Sequence, residues 1–183
     1  RSVTDGRHVY LRNFMPHLSQ AQHVDYQFAT PTTRVWFERF KTGHATDAQS
    51  VFWRAPKAPE ELYDLTTDPD EVKNLAASPL HQEVLAKFRQ AQLNLLARIR
   101  DVGLLPEGEI HSRSASGAPY TMGHDEAKYP LGRIYNTAAL ASNLKAEALP
   151  QLRQALTDPY SAVRYWAALG VLIRGKDAVT AAR

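Results

Sequence analysis

Cysteine is absent from all 183 residues of the sequence. Without it the chain cannot form disulfides, thiolate–zinc sites, iron–sulfur clusters or a cysteine nucleophile. The sequence also lacks a glycine-rich phosphate loop, a His-Glu-x-x-His motif and a Gly-x-Ser-x-Gly motif. These are the local patterns of nucleotide-binding proteins, zinc proteases and serine hydrolases. We therefore assign no catalytic residue and no metal ligand to this chain.

No apolar run approaches the roughly 18 residues that a membrane-spanning helix needs, so we expect no membrane partner. The net charge is only +3, from 22 lysine and arginine residues against 19 acidic residues. This charge is small for a nucleic-acid-binding protein, and we expect no nucleic-acid partner. Hydrophobic residues make up 44% of the chain, an ordinary share for a globular protein with a buried core.

The positive charge is concentrated at one end of the chain. Residues 1–59 carry eight lysine and arginine residues against four acids, whereas residues 60–183 carry fourteen against fifteen. Such an excess is typical of a solvated surface, and it also suits a face that meets an anionic ligand. The sequence leaves both interpretations open.

The local patterns predict an α+β fold, with a small antiparallel sheet packed by a long helix and then an all-helical tail. The sheet begins with a hairpin over residues 1–14 around Asp5-Gly6, because both turn positions tolerate positive φ. Alternation along the second strand puts one set of side chains on a single face. These side chains are His8, Tyr10, Arg12 and Phe14.

A third strand and a long helix complete this part of the fold. Glu61–Leu65 alternates like a short strand, and Asp68-Pro69 predicts the start of a short helix with an acidic first turn. Ser78-Pro79 precedes the long helix, which we expect over about 79–101. Its predicted apolar stripe consists of Val84, Phe88, Ala91, Leu95 and Ile99.

Residues 103–131 are rich in glycine and proline, and we expect them to be irregular. The pattern after them predicts only helices, at about 132–143, 147–157, 160–174 and 177–183. The stretch from Leu152 to Ile173 resembles a HEAT-type helical repeat. In this interpretation Trp166 is either a core residue, which we favour, or an exposed anchor, and Gly170 allows two helices to approach closely.

Two stretches resemble the C-terminal part of the sulfatase family. Residues 1–13, RSVTDGRHVYLRN, are similar to a late hairpin of that family, although sulfatases commonly have Tyr-Lys where His8-Val9 stand. Residues 61–76, ELYDLTTDPDEVKNLA, follow the family's ELYDL…DP.E..NLA segment almost residue for residue. Residues 103–135 resemble the bacterial sulfatases that are related to heparan N-sulfatase.

The resemblance implies a formylglycine-dependent, arylsulfatase-like parent enzyme that hydrolyses sulfate esters or sulfamates. Such enzymes use a formylglycine, made from Cys or Ser in a Cys/Ser-x-Pro-x-Arg motif, together with a calcium ion. No serine of this chain stands in that motif. The chain also opens on Arg1 rather than on methionine, so we expect formylglycine and calcium in an N-terminal catalytic domain and no activity from this segment alone.

The resemblance also implies a division of the chain and a set of partners. Residues 1–102 correspond to a sulfatase C-terminal subdomain, residues 103–131 to a connecting segment, and residues 132–183 to the beginning of a HEAT-like repeat. The implied partners are the catalytic domain and a sulfated sugar, and the implied location is periplasmic or secreted. We also expect the isolated segment to form homo-oligomers, because its sheet would expose apolar surface.

In such an enzyme the segment is expected to complete the fold and to form part of the rim of the substrate cleft. Basic side chains on loops suit an anionic sugar. The rim candidates are His17, His23, Arg113 and His124. The alternative interpretation is a non-catalytic helical-repeat module that binds another protein through the helical tail.

Overall fold

The computed structural model describes residues 1–115 and 117–180. The strands are Ser2–Thr4 (β1), His8–Arg12 (β2) and Glu60–Asp64 (β3). The helices are Asp25–Ala29 (α1), Pro31–Lys41 (α2), Asp47–Ser50 (α3), Gln82–Ile99 (α4), Glu107–Arg113 (α5), Pro119–Gly123 (α6), Leu131–Ser142 (α7), Leu149–Ala155 (α8), Ser161–Ile173 (α9) and Lys176–Thr180 (α10). The predicted α+β fold with a helical tail is confirmed. In the described ranges, no helix is both long enough and apolar enough to cross a bilayer.

β2 is the central strand of the sheet and pairs antiparallel with both β1 and β3. Its inward face carries Tyr10 and Arg12, and Phe14 follows on the same side; all three are buried, as the alternation predicts. Tyr10 packs with Leu62 of β3 and with side chains of α4 in a first core. Phe14 enters a second core, which the helical tail builds. The central strand therefore contributes to both cores.

The connection between β1 and β2 is longer than the predicted two-residue turn. Thr4 pairs with Val9 and β2 begins at His8, so residues 5–7 lie between the two strands. The Asp5 carboxylate accepts hydrogen bonds from the backbone N–H groups of Arg7 and His8 at 3.0 and 2.7 Å. These side-chain bonds stabilise a turn that the Asp-Gly signal alone does not distinguish from the shorter one.

The long helix α4 packs on the sheet as expected, but with a different stripe. Its buried side chains are Leu85, Phe88, Gln92 and Leu96. Ala91 and Ile99 of the predicted stripe are exposed. Gln92 takes an inward position because its Nε2 donates to the carbonyl oxygen of Arg1 at 3.0 Å. A prediction from hydrophobic residues alone does not identify a buried polar residue of this kind.

The helix predicted at Asp68-Pro69 is wrong, because residues 65–78 form turns and irregular chain instead. The Asp68 carboxylate accepts the backbone N–H groups of Val72 and Lys73 at 3.1 and 2.8 Å. Aspartate caps a turn with the same bonds that it uses to cap a helix. Asp68 therefore caps backbone N–H groups as predicted, but it does so in a turn and not in a helix.

Asn74 attaches this irregular segment to β3. Its side-chain Oδ1 accepts the backbone N–H of Leu62, and its Nδ2 donates to the carbonyl oxygen of Glu60, both at 3.0 Å. The backbone N–H of Leu75 then donates to the carbonyl oxygen of Leu62 at 2.7 Å. The amide side chain thus occupies the place that a neighbouring strand would take.

An aromatic cluster lies between the second and third strands of the chain. It surrounds Trp53, which is buried. The rings of Trp36 and Phe37 on α2 lie 5.2 and 4.8 Å from the Trp53 ring, centroid to centroid. α2 begins at Pro31 and ends at Lys41, shortly before Gly43. Proline favours the first position of a helix, and glycine favours the positions just after its end.

The helical tail follows the predicted boundaries closely. α9 packs between α7 and α8, and Trp166 is buried there, with its Nε1 donating to the carbonyl oxygen of Leu104 at 2.7 Å. Gly170 meets Ala141 so closely that an added Cβ would lie 2.9 Å from the Ala141 Cα. The predicted last helix, 177–183, is α10 as far as Thr180, and residues 181–183 lie outside the described residues. The HEAT-type resemblance and the boundaries at 102 and 131 stay predictions.

The expectation of an irregular segment at 103–131 is only partly correct, since α5 and α6 lie within it. Pro119 is the first residue of α6 and Pro106 directly precedes α5. Proline disrupts a helix interior but suits its start. Leu105 and Met122 of this segment belong to the second core.

Arg7 and Asp64 link the hairpin loop to the end of β3. The Arg7 Nη2 donates to Asp64 Oδ2 at 2.7 Å, and the backbone N–H of Thr66 donates to Asp64 Oδ1 at 3.1 Å. The hydrogen bond from Arg7 and that from Thr66 favour the charged carboxylate and outweigh its desolvation. Together they hold the pKa of Asp64 well below its usual range.

A carboxylate with a lowered pKa stabilises the fold above the pKa of the unfolded chain, roughly 3.9, and loses this contribution as the pH falls. We therefore expect Asp64→Asn to lower the melting temperature at pH 7, and we expect this difference from wild type to shrink as the pH falls from 4 to 2. The exposed Asp70→Asn is the control. Thermal unfolding followed from pH 2 to pH 7 checks this, and parallel profiles for wild type and Asp64→Asn would contradict it.

Gly170→Ala is expected to destabilise the helical tail, because the new methyl group meets backbone and not only flexible side chains. The expected loss is about 1 to 3 kcal/mol of unfolding free energy, the usual cost of overpacking. Gly132→Ala is the matched control, since a Cβ there meets nothing within 4 Å. Urea unfolding measures both, and a Gly170→Ala variant as stable as wild type would show that the close approach does not constrain α7 and α9.

Candidate functional site

Two of the four predicted rim residues precede α2. The His23 side chain is exposed; its Nε2 lies 2.9 Å from Asp25 Oδ1, and its ring stacks on Phe28 with 4.6 Å between the ring centroids. His17 is half-buried, and its buried Nδ1 has no hydrogen-bond partner among the described residues. Of these two imidazoles, that of His23 is the more accessible to a ligand.

The other two rim candidates, Arg113 and His124, follow α4 in the chain. Arg113 donates to Glu109 Oε2 at 2.6 Å, to the carbonyl oxygen of Lys128 at 2.8 Å and to Ser161 Oγ at 2.6 Å. The hydrogen bond from Arg113 lowers the pKa of Glu109, so the guanidinium is already used to join α5 to α9.

His124 is exposed at the end of α6. Its Nδ1 lies 2.8 Å from the carbonyl oxygen of Tyr120, and the two rings lie 4.1 Å apart. The four rim candidates thus belong to separate elements: the chain before α2, the end of α5 and the end of α6. Their role at a substrate rim stays a prediction.

A different set of basic side chains shares one cleft, which we call the basic cleft. It lies between the end of β2, the chain before β3 and the helical tail, and has a volume of about 290 Å³. This is near the lower limit for clefts that hold small ligands. Its walls include Arg1, Arg12, Asn13, Lys57, Tyr165 and Trp166.

Arg12 is the most buried cation of the basic cleft, with only 7% of its surface exposed. Its Nη1 donates to the carbonyl oxygen of Pro59 at 2.9 Å, and its Nη2 donates to the carbonyl oxygen of Ala139 at 3.1 Å and to Ser142 Oγ at 2.8 Å. All three acceptors are neutral. The guanidinium therefore has hydrogen bonds but no counter-charge among these partners.

Lys57 reaches the basic cleft because the chain before β3 continues the sheet ladder. The backbone N–H of Asn13 donates to the carbonyl oxygen of Pro59 at 2.9 Å, and that of Lys57 donates to the carbonyl oxygen of Pro16 at 2.8 Å. These two bonds hold residues 57–59 alongside residues 13–16. The half-buried Lys57 side chain is therefore carried on a fixed backbone.

A second and larger cleft, of about 690 Å³, lies on the other side of Arg12. Glu60 forms its centre, where it accepts hydrogen bonds from the Arg89 guanidinium and from the Tyr10 hydroxyl, the latter at 2.6 Å. Burial acts to raise the pKa of Glu60, but the bonds from Arg89 and Tyr10 outweigh it and lower that pKa. Burial and the bond to Glu60 raise the pKa of Tyr10. Glu60 and Arg89 neutralise each other, and Arg12 and the exposed Lys145 are the other cations of this cleft.

Sequence reasoning missed Lys57 and Arg12 as site residues. The signal that could have found them is the excess of positive charge in residues 1–59, which the structure gathers in part into one cleft. The predicted rim residues lie instead in segments that the sequence predicts to be loops, where a basic side chain can be recognised from local sequence. The position of Lys57 depends on pairing with residues far away in the chain.

Two sulfatases are similar to part of this chain. The ulvan-active sulfatase of Formosa agariphila is 33% identical over 118 residues, which make up 64% of this chain and 20% of that protein. The Delta 4,5-hexuronate-2-O-sulfatase of Bacteroides thetaiotaomicron is 31% identical over 87 residues, or 47% of this chain and 16% of that protein. The chain spans about a fifth or less of the length of these relatives.

No protein-family model and no solved structure matches the chain significantly. The two sulfatases come from different bacteria, and each matches with about one residue in three identical. The chain therefore contains a region related to sulfatases.

Proposed function

We propose that this chain is the C-terminal segment of a sulfatase that hydrolyses sulfate esters or sulfamates of sugars. In that enzyme it completes the fold and forms part of the rim of the substrate cleft, with no catalytic residue of its own. The supporting observation is the structural use of residues 61–76. The stretch that follows the sulfatase pattern most closely is the one that closes the sheet and joins it to its neighbours.

Three polar side chains of this stretch form hydrogen bonds within the fold. The Glu61 carboxylate accepts hydrogen bonds from the Tyr63 hydroxyl and from Asn13 Nδ2. Asp64 binds Arg7, and Asn74 binds the backbone of β3. Buried polar groups need such partners, because leaving one unpaired costs about 1 to 3 kcal/mol. The motif therefore supports an architectural role better than a catalytic one.

Formylglycine and calcium belong, in this proposal, to a catalytic domain that precedes the segment. They would supply a covalent nucleophile and an electrophilic clamp on the sulfate group. Within residues 1–115 and 117–180, no three His, Asp or Glu side chains group together as a site for a metal ion. A periplasmic or secreted location is proposed from the family resemblance alone.

The direct test is sulfate release by the whole protein. The substrates would be a 2-O-sulfated hexuronate disaccharide, a sulfated polysaccharide such as ulvan, and a sugar sulfamate. We expect release from at least one of them. No release from any of the three, by a protein whose Cys/Ser-x-Pro-x-Arg motif is intact, would contradict the proposal.

Leu62→Ala tests the division of labour between this segment and the catalytic domain. Leu62 is fully buried in the first core, so the substitution should cost about 2 to 5 kcal/mol of unfolding free energy. Sulfatase activity per folded molecule should stay unchanged, because no reacting group is touched. Leu80→Ala, at a side chain that is 90% exposed, is the control. Thermal unfolding and sulfate release are measured together, and lost activity in a variant of unchanged stability would indicate that the segment takes part in the chemistry.

A further inference from the structure

The basic cleft brings three cations together with one carboxylate partner. Arg1 forms an ion pair with Asp101. Arg12 donates its hydrogen bonds to the neutral oxygen acceptors already described, and the Lys57 ammonium forms no ion pair with the described residues. The Arg12 guanidinium also lies over the Phe14 ring, 5.4 Å from its centroid, and Glu60 is its neighbour across the β2–β3 pair. Arg12 is therefore partly compensated, and Lys57 is the cation of the cleft that these residues leave without a counter-charge.

A cation that is partly removed from water is stabilised when an anion comes close to it. Three of the five N–H groups of the Arg12 guanidinium are used within the fold, which leaves two as donors. Lys57 has all three N–H groups of its ammonium for a ligand. A ligand with an oxyanion could bind both cations through charge-assisted hydrogen bonds.

The remaining walls indicate what carries the anion. The Tyr165 ring is 37% exposed, and it lies edge-on to Trp166 with 5.5 Å between the centroids. Asn13 uses its Nδ2 within the fold, so its Oδ1 remains as an acceptor for a hydroxyl group. An apolar wall, a hydroxyl acceptor and two cations match a ring-shaped ligand with hydroxyls and one anionic group.

We propose that the basic cleft binds an anionic sugar residue through its sulfate or carboxylate group, with Lys57 as the principal ligand-binding cation and Arg12 as the buried second one. This inference rests on the proposed function, and it names a binding site for the substrate that is separate from the four rim candidates. Lys57 positions the sugar and takes no part in bond cleavage. Loss of the lysine should therefore weaken binding without slowing the chemical step.

The test compares Lys57→Gln with wild type in the whole protein. Calorimetry would measure binding of a disaccharide that ends in a 2-O-sulfated Δ4,5-hexuronate, of its desulfated form and of a neutral disaccharide of equal length. We expect Lys57→Gln to raise the Kd for the sulfated form about tenfold, which corresponds to about 1.4 kcal/mol. KM should rise similarly while kcat stays unchanged. Lys87→Gln, on an exposed part of α4, is the matched control and should bind like wild type.

The comparison of the sulfated disaccharide with its desulfated form identifies the anionic group that Lys57 binds. A dependence on Lys57 that persists with the desulfated disaccharide assigns the carboxylate, and one that disappears assigns the sulfate. Equal affinities of wild type and Lys57→Gln for every sugar would overturn the cleft proposal, even if the protein releases sulfate. Lys57-dependent binding by a protein that releases no sulfate would support the cleft and contradict the proposed function instead.

Discussion

The buried guanidinium of Arg12 is the interaction on which the rest of the structure depends. It lies at the end of the central strand, and it binds the chain before β3 and the C-terminal part of α7 at the same time. Replacing it with an apolar side chain would remove a donor from two carbonyl groups and a hydroxyl, of which the Pro59 carbonyl alone would keep the Asn13 backbone N–H. Such losses are among the most costly that a single substitution can cause.

The position of Arg12 explains how two small cores form one structure. Tyr10, two residues before it, packs in the sheet core, and Phe14, two residues after it, packs against Trp166 in the tail core with 6.0 Å between the ring centroids. Arg12 itself lines both clefts. Glu60 pairs with Arg89 in the larger cleft. In the basic cleft the half-buried Lys57 has no such carboxylate partner among the described residues, and this is the reason for assigning the anionic sugar to it.

Features that follow from local sequence were predictable. The hairpin, the third strand, the tail helices, the buried Trp166 and the close approach at Gly170 all follow from periodicity and turn chemistry. The buried position of Gln92 and the turn at Asp68 do not follow in this way, because both side chains bind backbone groups that a hydrophobic pattern does not include. The basic cleft could not be located either, since Arg12 and Lys57 meet only through the pairing of Asn13 with Pro59. Its charge was visible in the composition of residues 1–59, but its position was not.

The central claim is that Arg12 holds the sheet and the helical tail together. Hydrogen exchange of the whole protein, read by mass spectrometry for peptides from β3 and from α7, tests it most directly in Arg12→Met. The exposed Arg98→Met on α4 serves as the control. The account predicts that Arg12→Met speeds exchange in both peptides while Arg98→Met leaves both unchanged. Wild-type protection of α7 in Arg12→Met would contradict the account, because the tail would then be held without the guanidinium.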